Sequence, residues 1–400
     1  MDKDFRLYGY RWVVLAVFMF VNLAIQILWI SYAPINGQAA AFYGVTDQQI
    51  GFLAMSFMIT FIPLSIPVSW AIDTYGFRPT VSIGVILMAI FAILRGLAGS
   101  DYTLVLLSTI GLAVAQPFLM NAWTKMPALW FGIKERATAV GLVTLSSLAG
   151  IAVGMAVTPL LAASLPIPTV QLIYGGVAAF SALLFLILAR ETPPTPPGIP
   201  GEGDRALMLD GLKHALKEKN LWLYLSIYFI GMGLFNGITT WVETIVRPRG
   251  FSAIAGDLGA LMLVGGVLGA LVLPALSDKQ QNRKRYLMIG FLAAIPGLIG
   301  LTFTTAGWLL YVSAFFLGFF LTGAGPVGMQ YAAEIAYPTP EGTSNGIIQL
   351  FGQVSVVFVY LMEALRSPDG SFTNSLMLGV GLLLLSGFII TRMKEPAKRH

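Results

Sequence analysis

The sequence predicts an all-α membrane protein with twelve transmembrane helices, arranged as two six-helix pseudo-repeats. Three observations lead to this prediction. Hydrophobic residues make up 56% of the 400-residue chain and charged residues only 11%, whereas soluble domains carry about 25% charged residues. The apolar residues form long runs along the whole chain. A polar interval divides these runs into two sets of six.

The apolar runs have the length that a transmembrane helix requires, which is about 20 residues. Lipid offers the backbone no hydrogen bonds, so only helices and closed barrels cross a bilayer, and these continuous runs are too long for barrel strands. The predicted spans, numbered 1 to 12 in chain order, are 11–35, 50–72, 80–98, 103–124, 138–162, 168–189, 221–246, 257–277, 286–304, 308–330, 344–365 and 373–391.

The basic residues predict the orientation of the chain. If both termini lie in the cytoplasm, all but four of the 24 Lys and Arg residues fall on the cytoplasmic side, which is the bias typical of membrane proteins. The exceptions are Arg95, Arg247, Arg249 and Arg366. We therefore expect a multi-pass protein of the cytoplasmic (inner) membrane, surrounded by the lipid bilayer, with both termini inside the cell.

The sequence lacks the motifs of several functional classes. It has no cysteine, and its two histidines are His214 in the polar interval and His400 at the end, so neither a metal site nor an intramembrane haem ligand has a candidate. It also has no P-loop and no H-E-x-x-H motif. The net charge of +5 comes from loop residues and does not indicate nucleic-acid binding. We expect no enzyme activity, no cofactor and a monomer.

The loop between spans 2 and 3 predicts a compact hinge. Residues 69–79 read S-W-A-I-D-T-Y-G-F-R-P. Asp73 can accept hydrogen bonds from backbone N–H groups at a helix start, Gly76 permits a positive φ, and Arg78 can pair with a carboxylate. These three residues together predict a tight cytoplasmic connection.

The acid and the base of this hinge recur in the second half of the chain. Asp278 and Arg283, between spans 8 and 9, lie at one common offset from Asp73 and Arg78. A second pair of segments, E-R-A-T-A-V-G and E-G-T-S-N-G, lies between the fourth and fifth span of each half at nearly the same offset. The recurrence predicts a duplication. We expect the four charged residues to latch the cytoplasmic side of the two halves.

The polar interval predicts the domain organisation. Its first part is rich in Pro and Gly, and its second part places leucines opposite lysines, as in an amphipathic helix at a membrane surface. The expected parts are an N-terminal six-helix bundle (1–190), a cytoplasmic linker with an amphipathic helix (191–220) and a C-terminal six-helix bundle (221–400).

Polar side chains form stripes at helical spacing on four spans. Such residues are costly in a membrane, and they either line an aqueous cavity or join helices through hydrogen bonds. Four stripes, two in each half, favour a cavity shared by the halves. The stripes are Asn22, Gln26 and Trp29 in span 1; Gln116 and Trp123 in span 4; Asn236, Thr240 and Glu243 in span 7; and Asn345, Gln349 and Gln353 in span 11.

The chemistry of these stripes suits a weakly hydrated organic cation. Amide oxygens and the face of a tryptophan ring attract a cation without a full countercharge, and cation–π attraction is strongest for Trp. Trp29, Gln116 and Gln353 would therefore suit an alkylammonium group.

Three charged residues near the span ends leave alternatives open. Glu243 could attract a cation or take up a proton, or it could be solvated beside Arg247. Lys125 and Glu334 lie near the cytoplasmic ends of spans 4 and 10. For these two we favour a structural or gating ion pair over contact with a substrate.

Several stretches together resemble one branch of the major facilitator superfamily, the solute carrier 49 type, also called feline leukaemia virus subgroup C receptor-related transporters. The hinge is similar to the loop between helices 2 and 3 of major facilitators in general. The stretches that resemble the branch itself are Asn22–Ser31, Trp70–Arg78, Ala115–Phe118, Trp130–Gly132 and, most specifically, Pro326–Gly346 (P-V-G-M-Q-Y-A-A-E-I-A-Y-P-T-P-E-G-T-S-N-G).

The resemblance implies the major facilitator fold and transport by alternating access. Members of this branch are associated with choline and ethanolamine-type amines, with haem and, in one group, with pyridoxine. In choline-handling members a tryptophan on helix 1, glutamines on helices 4 and 11 and a tyrosine on helix 7 surround the ammonium group. By local match these positions hold Trp29, Gln116, Gln353 and, in place of the tyrosine, Asn236. Nearby Trp241 could substitute for the missing ring.

The sequence therefore predicts a transporter of a small organic solute that does not hydrolyse ATP, with an organic cation such as choline as the favoured substrate. The alternatives are a proton-coupled carrier of a neutral vitamin such as pyridoxine, with protonation of Glu243 as the coupling step, or a haem transporter. A non-transporting receptor or scaffold is the alternative from another class. The expected substrate-lining residues are Trp29, Gln116, Asn236, Gln353, Gln26, Asn22, Trp241 and Gln349.

Overall fold

The computed structural model describes residues 8–123, 125–195, 217–280, 282–336 and 341–395. The chain divides into two compact units, Met1–Glu202 and Gly203–His400. The predicted amphipathic helix of the linker lies outside the described residues, as do the side chains of Asp73, Asp278 and Asn345.

The predicted all-helical fold is confirmed. Within the described ranges, twelve helices are long and apolar enough to cross a membrane. In the first unit the α-helices are Arg11–Ile30, Asn36–Tyr43, Asp47–Tyr75, Phe77–Leu97, Tyr102–Met120, Lys125–Trp130, Ile133–Ala162 and Ile167–Leu188. Span 1 continues beyond its main helix through a 3₁₀ turn, Ala33–Ile35, into the short helix Asn36–Tyr43.

The second unit is also built of spans of which some are interrupted. Its α-helices are Lys219–Val246, Ala255–Gln280, Arg283–Phe303, Gly307–Leu317, Ala324–Ile335, Glu341–Val354, Val356–Ala364 and Thr373–Arg392. A π-helical turn, Gly318–Thr322, joins the two helices of span 10, and span 11 is interrupted at Ser355. The 3₁₀ turns Arg247–Arg249 and Ser252–Ile254 connect spans 7 and 8.

Local capping chemistry sets where helices begin in the first unit. Thr46 and Gln49 form a reciprocal capping box at the start of span 2, which satisfies two backbone donors that have no partner inside the helix. Asp101 does the same for span 4, where its carboxylate accepts from the backbone N–H groups of Thr103 and Leu104 at 2.8 and 3.2 Å.

Glycines bring span 5 close to span 1. A Cβ atom added at Gly150 would lie 2.4 Å from the carbonyl oxygen of Leu23 and 3.0 Å from the Cβ of Gln26. One turn later, a Cβ at Gly154 would lie 2.5 Å from the side chain of Ile30. Small residues at both positions therefore let the two backbones approach, and this packing holds the segment of span 1 that carries the polar stripe.

Candidate functional site

Trp29 lies in the last turn of the span 1 helix and is tied to span 2. Its indole Nε1 donates to the backbone oxygen of Ala54 at 3.1 Å, and 8% of the residue is exposed. Gln26 precedes it by three residues, so the two side chains share one face of the helix. This hydrogen bond fixes the orientation of the indole ring.

Gln26 and Gln116 each carry a buried amide oxygen without a hydrogen-bond donor. The residues are 5% and 4% exposed, and both Oε1 atoms lack a partner. A buried polar atom left unpaired costs about 1–3 kcal/mol. Such atoms are uncommon in folded proteins and call for a reason, such as a ligand. These two oxygens offer acceptor capacity to a group that brings positive charge or N–H and O–H donors.

Asn22, the third polar residue of the stripe in span 1, is satisfied within the protein. Its Oδ1 accepts from the indole Nε1 of Trp123 at 2.6 Å, and its Nδ2 donates to the backbone oxygen of Phe18 at 2.8 Å. Both ends of the amide are used, so this residue joins spans 1 and 4. We expected Asn22 to line a substrate site, but its amide has no polar atom left for a substrate. Its hydrogen bonds are those of a link between two helices.

The Asn22–Trp123 hydrogen bond aligns the other residues of the two stripes. Spans 1 and 4 run in opposite directions, because two spans lie between them. From this bond, seven residues along the span 1 helix lead to Trp29, and seven residues back through the turn 121–123 into the span 4 helix lead to Gln116. Both paths cover about 10 Å in the same direction. The bond therefore brings Trp29 and Gln116 to the same depth in the first unit, with Gln26 one turn away.

In the second unit, Asn236 points to the interruption of span 11. Its Nδ2 donates to the Oγ of Ser355 at 3.2 Å, and it is 5% exposed. Gln349 and Gln353 lie on the helix just before this interruption and are partly exposed. A polar amide thus remains accessible on span 11 beside the link that joins it to span 7.

Trp241 requires a correction. It is fully buried, its Nε1 donates to the backbone oxygen of Val359 at 3.0 Å, and its ring packs on Phe372 with a centroid separation of 5.8 Å. The indole exposes no ring face to a ligand, so it cannot substitute for a missing aromatic residue around an ammonium group. Its helical position in the sequence did not show which face of span 7 packs into the core.

Glu243 is paired with Arg247, one turn further along span 7. The guanidinium Nε lies 3.0 and 3.2 Å from the two carboxylate oxygens, and the carboxylate side chain is 6% exposed, against 33% for the arginine. Of the alternatives that the sequence left open, the structure has the carboxylate beside Arg247, buried rather than solvated.

The hinge between spans 2 and 3 is organised by a residue that the sequence analysis missed. The carboxylate of Glu191 accepts from the backbone N–H groups of Phe77 and Arg78 at 2.8 and 2.5 Å, at the start of the span 3 helix. Gly76 has φ +100°, and a Cβ there would lie 2.5 Å from Glu191 Oε1. The guanidinium of Arg78 donates to the backbone oxygen of Leu186 at 3.2 Å. We expected Arg78 to contact a carboxylate. It does so through its backbone N–H group.

The second unit has a corresponding contact. The carboxylate of Glu395 accepts from the backbone N–H groups of Arg283 and Lys284 at 2.5 and 3.1 Å, at the start of the span 9 helix. Glu191 and Glu395 each follow the last span of their half and stand just before a proline, as E-T-P and E-P. That recurring pattern was the sequence signal that could have revealed them.

The side chain of Arg283 pairs inside its own unit. Its Nη2 lies 3.0 Å from Glu334 Oε1, and its Nη1 donates to the Oγ of Ser277 at 3.1 Å. Gln330 also donates to Glu334 at 2.9 Å. The carboxylate of Glu334 therefore joins span 10 to the start of span 9 through its ion pair with Arg283. Lys125 begins the short helix Lys125–Trp130 and is partly buried.

Comparisons with known proteins agree with this architecture. The sequence model of the Major Facilitator Superfamily matches residues 13–360. The chain is 29% identical to the choline/ethanolamine transporter FLVCR2 of Rattus norvegicus over 96% of this chain and 75% of that protein. It is 28% identical to FLVCR2 of Homo sapiens (95% and 77%) and 29% identical to FLVCR1 of Felis catus (98% and 74%), which carry the same description.

Two solved structures share the fold. A bacterial homologue of the human lysosomal transporter Spinster, inward-facing and unoccupied, superposes with a TM-score of 0.76 at 17% identity, covering 99% of this chain and all of that one. The nucleoside transporter NupG gives a TM-score of 0.73 at 14% identity, covering 95% of this chain and 99% of that one. At these identities the likeness concerns the fold alone.

Proposed function

This chain belongs to the major facilitator superfamily, and we propose that it carries a small organic cation of the choline or ethanolamine type by alternating access. Its resemblance to the solute carrier 49 branch is confirmed by the relatives found. The chain is a multi-pass membrane transporter of a small organic solute, and not an enzyme. The relatives' described substrates, choline and ethanolamine, support the choice of a cationic amine.

The observation that carries the proposal is the pair of unpartnered amide oxygens on the two spans that the Asn22–Trp123 hydrogen bond joins. Gln26 and Gln116 hold buried acceptors without donors, and the Asn22–Trp123 hydrogen bond together with helix geometry gives Trp29 about the same depth as Gln116. Partial negative charge on the oxygens and on the ring face attracts a weakly hydrated cation, and a ring contact contributes about 0.5–2 kcal/mol. A neutral solute would gain only hydrogen bonds from the same groups.

In this proposal Trp29 and Gln116 are the substrate-binding residues of the first unit, and Asn236 and Gln353 are candidate binding residues of the second unit. Glu243 serves as a structural partner of Arg247 and not as a coupling residue, and transport follows the substrate gradient and the membrane potential. The protein resides in the cytoplasmic membrane with both termini in the cytoplasm.

Uptake into proteoliposomes tests the proposal. Radiolabelled choline, ethanolamine, pyridoxine and haem are supplied separately, with and without a pH gradient. We expect saturable uptake of choline or ethanolamine. The Trp29→Ala variant should raise the KM about tenfold, because the ring contact is lost. Trp308→Ala, at a residue that is 70% exposed, is the matched control and should leave the KM unchanged.

Each alternative predicts a different result in the same assay. Uptake of pyridoxine that requires a pH gradient would identify a proton-coupled vitamin carrier, and uptake of haem would identify a haem transporter. Either result without amine uptake would refute the amine proposal. Failure to move any of the four compounds would favour a receptor or scaffold.

A further inference from the structure

Arg95 is a fully buried cation in the last turn of the span 3 helix. It is 1% exposed, and the described part of the chain provides it with no carboxylate partner. Its Nη1 donates to the backbone oxygen of Leu28 at 3.0 Å and its Nη2 to the Oγ of Ser31 at 3.4 Å. Its guanidinium carbon lies 5.4 Å from the centroid of the Tyr32 ring. A buried ionised group in a membrane protein is costly and usually has a role.

The two hydrogen bonds of Arg95 both go to the end of the span 1 helix. The last four carbonyl groups of a helix lack partners within it, and the helix dipole places partial negative charge at this end. Leu28 is one of the last four residues of the helix Arg11–Ile30, and Ser31 is its C-cap. The guanidinium therefore supplies both the missing donor and the compensating charge.

These contacts bracket Trp29 in the sequence. Arg95 fixes the backbone one residue before Trp29 and the side chain two residues after it, while the indole is tied to Ala54. We propose that Arg95 is a positioning residue, which holds the end of span 1 so that Trp29 presents its ring to the substrate. The inference rests on the proposed function, since it assigns Trp29 a contact with the transported cation.

The second unit offers a matched control. Arg249 donates to the backbone oxygens of Leu301 and Thr304 at 2.7 and 2.9 Å, at the end of the span 9 helix Arg283–Phe303. The type of contact is the same, an arginine on the last carbonyls of a neighbouring helix. Span 9 carries no proposed substrate contact, so removing this arginine removes a helix cap without affecting the position of Trp29.

A double-mutant cycle on the KM for choline uptake tests the role. Arg95→Gln should raise the KM about tenfold when residue 29 is Trp, because a small misplacement of a binding group is costly. In the Trp29→Ala background the same change should alter the KM less than about twofold, since coupled residues give non-additive effects. Arg249→Gln should alter the KM less than about twofold in both backgrounds.

Arg95→Lys keeps the test usable if Arg95→Gln does not fold. It keeps the charge but cannot bond Leu28 and Ser31 through one planar fork, so the KM should rise about threefold with Trp29 present and stay unchanged without it. Equal effects of Arg95 variants in both backgrounds, or a loss of thermal stability with unchanged KM, would overturn the inference and leave the proposed function intact. Absence of choline and ethanolamine uptake by the wild type would instead refute the proposed function.

Discussion

Gln116→Leu should change stability and binding in opposite directions. The side chain is 4% exposed and its Oε1 has no donor, so the ligand-free protein bears the cost of an unpaired buried acceptor. Leucine has a similar size and no polar atom to satisfy. The substitution should therefore stabilise the ligand-free protein by about 1–3 kcal/mol.

The same substitution removes an acceptor from the proposed substrate site. Choline affinity should fall about tenfold, as expected when one charge-assisted contact worth about 1.5 kcal/mol or more is lost. Thermal unfolding of the purified protein measures both effects. For units of about this size, 1 kcal/mol corresponds to about 2–4 °C. We expect a higher melting temperature without choline and a smaller shift on adding choline than in the wild type.

Asn22→Leu is the matched control for this prediction. Asn22 is also buried in the polar stripe, but both ends of its amide are bonded, to Trp123 and to Phe18. Replacing it leaves the indole N–H of Trp123 without its acceptor, so the melting temperature should fall. A lower melting temperature for Gln116→Leu as well, or an unchanged choline shift, would refute the account of Gln116 as an acceptor kept free for a ligand.

Two further predictions concern the hinge and the ion pair. Gly76→Ala should destabilise the protein by about 3 kcal/mol or more, since it adds backbone strain at φ +100° and displaces the carboxylate of Glu191. The control is Gly99→Ala, because Gly99 also has a positive φ (+61°) but has open space around it. This substitution should lower the free energy of unfolding by only about 1 kcal/mol. Equal losses of stability for the two variants in thermal unfolding would show that the Glu191 contact contributes nothing. Glu243→Gln should lower stability, because it leaves Arg247 without its carboxylate, and should leave the pH dependence of uptake unchanged. A lost or shifted pH profile would identify Glu243 as a proton-coupling residue.

The helices were predictable because their signals are local. Each span is marked by its own apolar run, and the start of span 2 by Thr46 and Gln49 within a single turn. The stripe of Asn22, Gln26 and Trp29 was equally visible, since its spacing follows from helix geometry. The sequence could not separate Asn22 from Gln26, however, because that difference depends on Trp123, which lies on another span.

The contacts that the sequence analysis missed join residues distant in the chain. Glu191 binds the start of a helix more than a hundred residues earlier, and Glu395 does the same in the second unit. Nothing near either glutamate specifies its partner, although the recurring Glu before a proline marks both. Trp241 was misassigned for a related reason. Its burial follows from packing against Val359 and Phe372, which periodicity within span 7 does not reveal.

The structure changes the interpretation of Arg95. In the sequence it is an exception to the predicted distribution of basic residues, close to the end of a span. In the structure its guanidinium is buried and donates to the end of span 1. The charge is thus part of the packing around the proposed substrate contact at Trp29, and this role was not available from residue order alone.

Choline counterflow tests the central claim most directly. Proteoliposomes are loaded with unlabelled choline, diluted into labelled choline at low concentration, and sampled over time. A carrier that works by alternating access exchanges substrate across the membrane, so labelled choline should accumulate transiently above its equilibrium level in loaded vesicles and not in empty ones. Accumulation that is the same in loaded vesicles, empty vesicles and vesicles without the protein would contradict transport of choline by this chain.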